Sequence, residues 1–264
     1  VRSVVVELSD ARSKLVRRLH RRKTRERESL VLVEGPRAGD EALAAGASVR
    51  FAVTSPRLQA LGGESVVVGL AAAGVDVHEV DDRELAELAD TESPQGLLLV
   101  VEQPAPAWFP KLPDGRWLVL DALQDPGNVG TLIRAAAAFE CAGVVALGGT
   151  ADPWGTKAVR AAAGACFRLP IHVARGRDLG EVTAALPRPI LLADMVGDVP
   201  SEQCGPRWSL VVGNEGSGIR DALGVEADAR VAIPMPGGIE SLNAGVAGAI
   251  LLYALSQPAP HRRP

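Results

Sequence analysis

Apolar and polar positions along the 264-residue chain fall into two series of short apolar runs alternating with amphipathic stretches. Near the start, Leu15, Val16 and Leu19 lie at i, i+1 and i+4, a narrow apolar stripe, while Arg17, Arg18, Arg21 and Arg22 point elsewhere. This predicts a short helix with a cationic outer face. The run LVLVEG then predicts a buried strand, followed by a helix over 36–45, a strand over 50–54, a helical stretch through Leu70, a strand over 75–79, a helix in DRELAELAD and a strand over 96–102. The pattern stops in QPAPAWFPKLPDG, where four prolines in thirteen residues predict a stiff connector.

After Gly115 the alternation restarts. Strands are expected at 117–121, 144–147, near Ile171, and at 190–193, 209–212 and 230–233, with helices over 131–139, 155–163, 179–186, 218–223 and 242–255. The predicted organisation is a small α/β domain over 1–103, a connector over 104–114 and a larger α/β domain over 115–264. Strands separated by helices imply a parallel sheet covered on both faces, and ligands of such sheets bind beyond the carboxyl ends of the strands. Three loops of unusual composition leave strands at that end: LQDPGNVG, VVGNEGSGI and IPMPGGIESLN.

Composition narrows the class. With 47% hydrophobic but 3% aromatic residues, the cores are expected to rest on Ala, Val and Leu. No apolar run approaches the roughly 18 residues of a membrane span, and the first residues lack the charged-then-apolar order of a signal peptide, so a cytoplasmic protein is expected. The chain opens on Val1, as in a trimmed chain or one begun at an unusual start codon. Cys141, Cys166 and Cys204 are far apart and His20, His78, His172 and His261 are scattered, so no metal site is expected, and the thiols read as buried or half-buried in a reducing compartment. The net charge of −4 hides nine Lys or Arg against one acid between Arg12 and Arg27, a local +8 that leaves about −12 for the rest. Such a density of cations favours phosphate contact, hence nucleic acid, over a merely solvated helix face.

In the first loop Asn128 stands where a helix N-cap belongs, Gly127 and Gly130 leave room for close backbone approach, and Arg134 follows about one turn later. The second loop is neither a dinucleotide fingerprint nor a P-loop, because its glycines are spaced in the reverse order and no Gly-Lys-Ser follows. In the third, Pro234 and Pro236 stiffen the strand exit before Ser241 and Asn243 at the head of an apolar helix. Gly245 and Gly248 inside that helix cost about 1 kcal/mol each relative to alanine, which predicts close packing against a neighbour, another subunit being one candidate.

Together and in this order, PGNVGTLIRAA, VVGNEGSGI and IPMPGGIESLNAGVA resemble the three signature motifs of the SpoU/TrmH branch of the SPOUT RNA methyltransferases, a resemblance that spans 118–255. The basic start with LVLVEGPRAGDEALAAG resembles the substrate-binding domain of ribosomal RNA members, related in fold to small RNA-binding ribosomal proteins. The resemblance implies 2'-O-methylation of an RNA ribose, ribosomal RNA of the large subunit before transfer RNA, with S-adenosylmethionine as methyl donor. It implies a homodimer whose catalytic domain is a deep trefoil knot, with Gly148, Gly213, Ile233, Met235 and Leu242 around a bent cofactor. Asn128, Arg134, Glu215, Ser241 and Asn243 form the implied catalytic group, some supplied across the dimer; Arg17, Arg18, Arg21, Arg22, Lys23 and Arg25 are the expected RNA contacts. A guanidinium cannot accept a proton at ordinary pH, so Arg134 suits phosphate positioning and alkoxide stabilisation, and Glu215 is either proton acceptor or loop anchor. Ala244 and Gly245 replace the Val-Ser that follows Ser-Leu-Asn in many relatives. The competing readings are an RNA-binding member that has lost catalysis, a dinucleotide oxidoreductase and a Rossmann-type methyltransferase. The last two lack their glycine-rich loops.

Overall fold

A computed structural model of the chain describes residues 6–105, 108, 110–198 and 205–257. The first series of elements comprises β1 (Val6–Glu7), α1 (Asp10–Leu19), α2 (Arg22–Glu28), β2 (Leu30–Glu34), α3 (Pro36–Ala44), β3 (Val49–Thr54), α4 (Pro56–Ala60), α5 (Glu64–Ala72), β4 (Val77–Glu79), α6 (Asp82–Leu88) and β5 (Leu97–Glu102). After the connector come β6 (Arg116–Leu120), α7 (Pro126–Ala138), β7 (Gly143–Leu147), α8 (Thr156–Ala161), a 3-10 turn (Ala165–Phe167), β8 (Ile171–Ala174), α9 (Leu179–Ala185), β9 (Ile190–Asp198), β10 (Trp208–Val212), α10 (Asp221–Glu226), β11 (Ala229–Val231) and α11 (Ala244–Ser256). Side-chain caps set the helix starts: Ser9, Asp81, Asp125, Asp178 and Asn243 each accept a backbone N–H of the first turn.

The chain forms two compact units. The first holds residues up to Pro104 together with Trp154–Arg168, and the second holds Ala105–Pro153 and the residues from Leu169 on. The sheet of the first unit runs β1-β4-β3-β5-β2, parallel except that β5 is antiparallel to both β3 and β2. Val16 and Leu19 of α1 pack with Leu30, Leu32, Phe51, Leu85 and Leu98 in its core. Segment 154–168 is built into this unit at close quarters. Gly164, at φ +82°, lies where a Cβ would come within 2.7 Å of the Ala38 carbonyl oxygen, and Arg168 donates to Glu41 at 2.5 Å.

The second unit is a six-stranded sheet, β11-β9-β10-β6-β7-β8, parallel throughout. Strands β6, β7 and β10 are wholly or almost wholly buried, as a sheet covered on both faces requires. Few as the aromatics are, Trp117 and Trp208 here and Trp154 in the first unit are among the largest fully buried side chains, so the cores use rings more than composition alone predicts.

Two local expectations need correction, and the close packing expected at the glycines of the last helix is found inside the chain. The basic helix is two helices, α1 and α2, broken at His20 and Arg21. Helix α7 starts at Pro126 rather than 131: Asp125 is its N-cap, its carboxylate accepting from Gly127 N at 3.0 Å, and proline suits the first helical position, so Asn128 lies inside the first turn. Gly245 and Gly248 pack within the chain. A Cβ on Gly248 would lie 2.4 Å from Leu132 Cδ2, and one on Gly245 would lie 3.0 Å from Asn128 Oδ1, so both glycines let α11 approach α7.

Candidate active site

The three loops converge in the second unit, because β6, β10 and β11 are parallel members of one sheet and their carboxyl ends share one edge. At that edge the side chains of the first two loops interlock. Asn128 Nδ2 donates to Glu215 Oε1 at 2.9 Å, and Gln124 N donates to Glu215 Oε2 at 3.5 Å. Asn214 Nδ2 donates to the Ala122 carbonyl at 2.9 Å, while its Oδ1 accepts from Gly216 N and Ser217 N, both at 2.9 Å, and folds the loop around itself. Asp121, fully buried at 0% exposure, accepts from Arg220 N at 2.9 Å and Arg220 Nε at 2.6 Å. The third loop joins through α11: a Cβ on Gly245 would touch Asn128 Oδ1 on one side and Asn243 Oδ1, at 3.1 Å, on the other. Gly245 thus lies tightly between the two asparagine side chains.

A cavity of about 880 Å³ opens here, walled by the ends of β9 and β10, the second loop, α10 and the third loop. Its apolar side is Leu192, Ile233, Met235, Leu242 and Leu251, and its charged side is Asp194, Glu215, Asp221, Arg220 and Arg230. Backbone conformation makes room for it. At Gly213 a Cβ would fall 2.6 Å from the carbonyl carbon of Gly218, so the turn closes only without a side chain there. Among the described residues no group of three or more His, Cys, Asp or Glu could hold a metal ion.

Electrostatics separate the candidate roles. Burial pushes the Glu215 carboxyl up, but hydrogen bonds from Asn128 and from the backbone at Glu215, Gln124 and Asp125 outweigh it and hold the group below its ordinary value. Such a carboxylate is a weak proton acceptor and a good anchor. The Cys141 and Cys166 thiols are pushed up to about 12 by burial, so neither is poised as a nucleophile; Cys204 lies outside the described residues.

Of the residues singled out from the sequence, Gly213, Glu215, Ile233, Met235, Ser241, Leu242 and Asn243 line the cavity, and Asn128 braces it from behind at 7% exposure. Gly148 is not a lining residue: it follows β7, whereas the cavity is walled from the β9 and β10 side. Arg134 stands exposed on α7 and does not line the cavity of its own chain. In the first unit Arg17, Arg18, Arg21 and Lys23 are exposed and Arg22 half-buried, Arg17 pairing with Glu87 at 3.2 Å and Arg22 with Glu26 at 2.6 Å. Arg25 is not on that surface. At 4% exposure, its Nη1 donates to the Leu19 and His20 carbonyls at 2.8 Å each, closing the C-terminus of α1. Sequence reading missed Asp121, Asn214 and Arg220; a carboxylate ending the apolar strand LVLD was the one available signal.

Comparison with known proteins follows the same division. Residues 115–253 match the SpoU rRNA Methylase family and residues 11–99 match the MRM3-like substrate binding domain. The chain is 30% identical over 242 residues, 90% of its length and 93% of the relative's, to the 23S rRNA (guanosine(2553)-2'-O)-methyltransferase RlmP of Bacillus subtilis. In structure it is similar to an rRNA methyltransferase from Sinorhizobium meliloti, with a TM-score of 0.79 at 28% identity over 95% of this chain and 97% of that one. The AdoMet-bound form of the Sinorhizobium enzyme gives 0.77 at 28% identity, over 95% and 96%.

Proposed function

The chain belongs to the SpoU rRNA methylase family, and from that premise we propose that it is an S-adenosylmethionine-dependent 2'-O-methyltransferase of ribosomal RNA, of the 23S class that its Bacillus relative's name describes. The observation that carries this reading is the hydrogen bond from Asn128 to Glu215, which ties the first loop to the second at the rim of a cavity completed by the third. The residues present suit the donor. An apolar wall can take the adenine, glycine backbone allows close approach, and three carboxylates against two guanidiniums leave one negative charge facing a ligand of net charge +1.

When bound, the cofactor supplies an electrophilic methyl on a sulfonium; the rest falls to the chain. The 2'-oxygen must be brought in line with that methyl, and its proton must leave as the new C–O bond forms. Arg134 holds the neighbouring phosphate and stabilises the developing alkoxide, with its charge fixed throughout. Asn128 and Glu215 hold the second loop in register, the lowered pKa of Glu215 suiting it to this work rather than to proton abstraction. Ser241 and Asn243, at the head of α11, face the cavity and orient the sugar, Asn243 also capping the helix from 3.2 Å. Arg18, Arg21 and Lys23, which have no ion-pair partner among the described residues, grip RNA phosphates with Arg17 and Arg22.

The same reading includes a homodimer, a trefoil-knotted catalytic domain and residence in the cytoplasm. Val246, Ile250 and Tyr253 are exposed at i, i+4 and i+7 on α11, an apolar stripe suited to a second copy. Arg134, on the helix that α11 packs against, is then available to the partner's cavity. Arg134→Ala should lower methyl transfer by about 10²-fold or more while changing cofactor affinity no more than a few-fold. The measurement pairs methyl incorporation into ribosomal RNA with calorimetric cofactor binding, and a large loss of binding would remove Arg134 from the proposed role. Mapping ribose methylation in RNA from cells with and without the gene identifies the nucleotide, and a missing mark on transfer RNA would reassign the substrate.

A further inference from the structure

Two guanidiniums line the cavity, and they are held differently. Arg230 pairs with Asp194, itself a lining residue, so its charge is met by a carboxylate on the same wall. Arg220 pairs with Asp121, which is fully buried and does not line the cavity. Asp121 Oδ1 takes Nε at 2.6 Å and Nη2 at 2.5 Å, and Oδ2 takes the Arg220 backbone N–H at 2.9 Å, so backbone and side chain are fixed together. The Nη1 of Arg220 makes no hydrogen bond among the described residues, and the side chain is 44% exposed. The second loop therefore ends in a cation locked from behind and open in front, with no lining carboxylate paired to it. That arrangement suits an incoming carboxylate: the fork geometry of arginine is preorganised and its counter-charge lies out of the ligand's way.

We infer that Arg220 binds the α-carboxylate of the cofactor's methionine moiety, with Asp121 as the positioning residue that fixes its guanidinium. The inference rests on the methyl-transfer reading and assigns one group of the ligand to one side chain. Of the acidic lining residues, Asp194 already meets Arg230, and Glu215 and Asp221 remain for the cationic parts of the same molecule.

The test compares S-adenosylmethionine with its decarboxylated analogue, which keeps the adenosine, the sulfonium and the amine and lacks only the carboxylate. Calorimetry on the full chain should show the wild type binding S-adenosylmethionine at least about tenfold more tightly, the strength of one charge-assisted contact. Arg220→Gln should remove most of that preference by weakening S-adenosylmethionine alone. Because it strands a buried carboxylate, the double variant D121N/R220Q, which removes both charges, is measured beside it and should lose the preference in the same way. Equal affinity of the wild type for both compounds, or a double variant that keeps the wild-type ratio, overturns the inference. Failure of the wild type to bind either compound would instead sink the methyl-transfer reading.

Discussion

Glu215 is held below the ordinary carboxyl range by the groups that reach it. Desolvation alone would raise its carboxyl, yet Asn128 and three backbone donors more than compensate and set it below the ordinary 4.5. A carboxylate depressed on folding contributes stability that is complete above its unfolded value and disappears as pH falls through the folded one. Acidification below 4.5 should therefore loosen the second loop and weaken cofactor binding, and Asn128→Ala, which deletes the strongest donor, should move that loss to higher pH. Cofactor titrations across the acid range check this, and an unshifted midpoint in the variant would detach Asn128 from the state of Glu215. In the sequence, Asn128, Glu215, Ser241 and Asn243 stood out through the resemblance of three ordered motifs to a known family, each being unremarkable by itself. That resemblance passed over Asn214, Asp121 and Arg220, which make side-chain contacts across 92 and 99 positions of chain. Arg25 was misplaced for a related reason: an arginine in a basic run reads as surface until a helix end needs its hydrogen bonds.

The elements were the most legible level. Alternating apolar runs located the strands and helices of both units, since burial on a sheet or a helix face imposes the period that the sequence displays. What the period could not show was interruption. The basic segment reads as one helix, but the chain turns at Arg21, in extended conformation at ψ 126°, so that α1 packs Val16 and Leu19 inward while α2 presents a separate face. Replacing Arg18, Arg21 and Lys23 by Gln should leave the fold intact and flatten the log–log salt dependence of RNA affinity by about 2, each lost phosphate contact removing roughly 0.7 on single strands. An unchanged slope returns these helices to a solvated surface. The meeting of α7 with α11 rests on missing side chains at Gly245 and Gly248, which leave room for Asn128 and Leu132. Gly213→Ala, by contrast, acts on a turn that has no room: its Cβ would collide with the Gly218 backbone, and a loss of cofactor affinity of about tenfold or more is expected, read by the same calorimetry.

For the whole molecule, the dimer proposed above makes a combinatorial prediction. If Arg134 serves the partner's cavity, co-expression of R134A with G213A chains yields mixed dimers in which one site has both an intact cavity and an intact arginine. Random pairing makes half of all dimers mixed, so about a quarter of wild-type activity should return at a cofactor concentration too low to fill the weakened G213A cavity; no recovery would place Arg134 and the cavity of one chain at the same site. A sequence pattern does not reveal such proposed sharing, nor that Trp154–Arg168, which contains the helix expected over 155–163 of the second domain, is a structural member of the first. Trp154 is buried in the first unit, and Arg168 bonds to Glu41 of α3 there, so a gene fragment starting at the proline-rich connector would encode a helix stripped of its bed. Expressed from the connector onward, the chain should therefore leave Trp154 exposed and Arg168 without Glu41, a change that tryptophan fluorescence of the fragment would report.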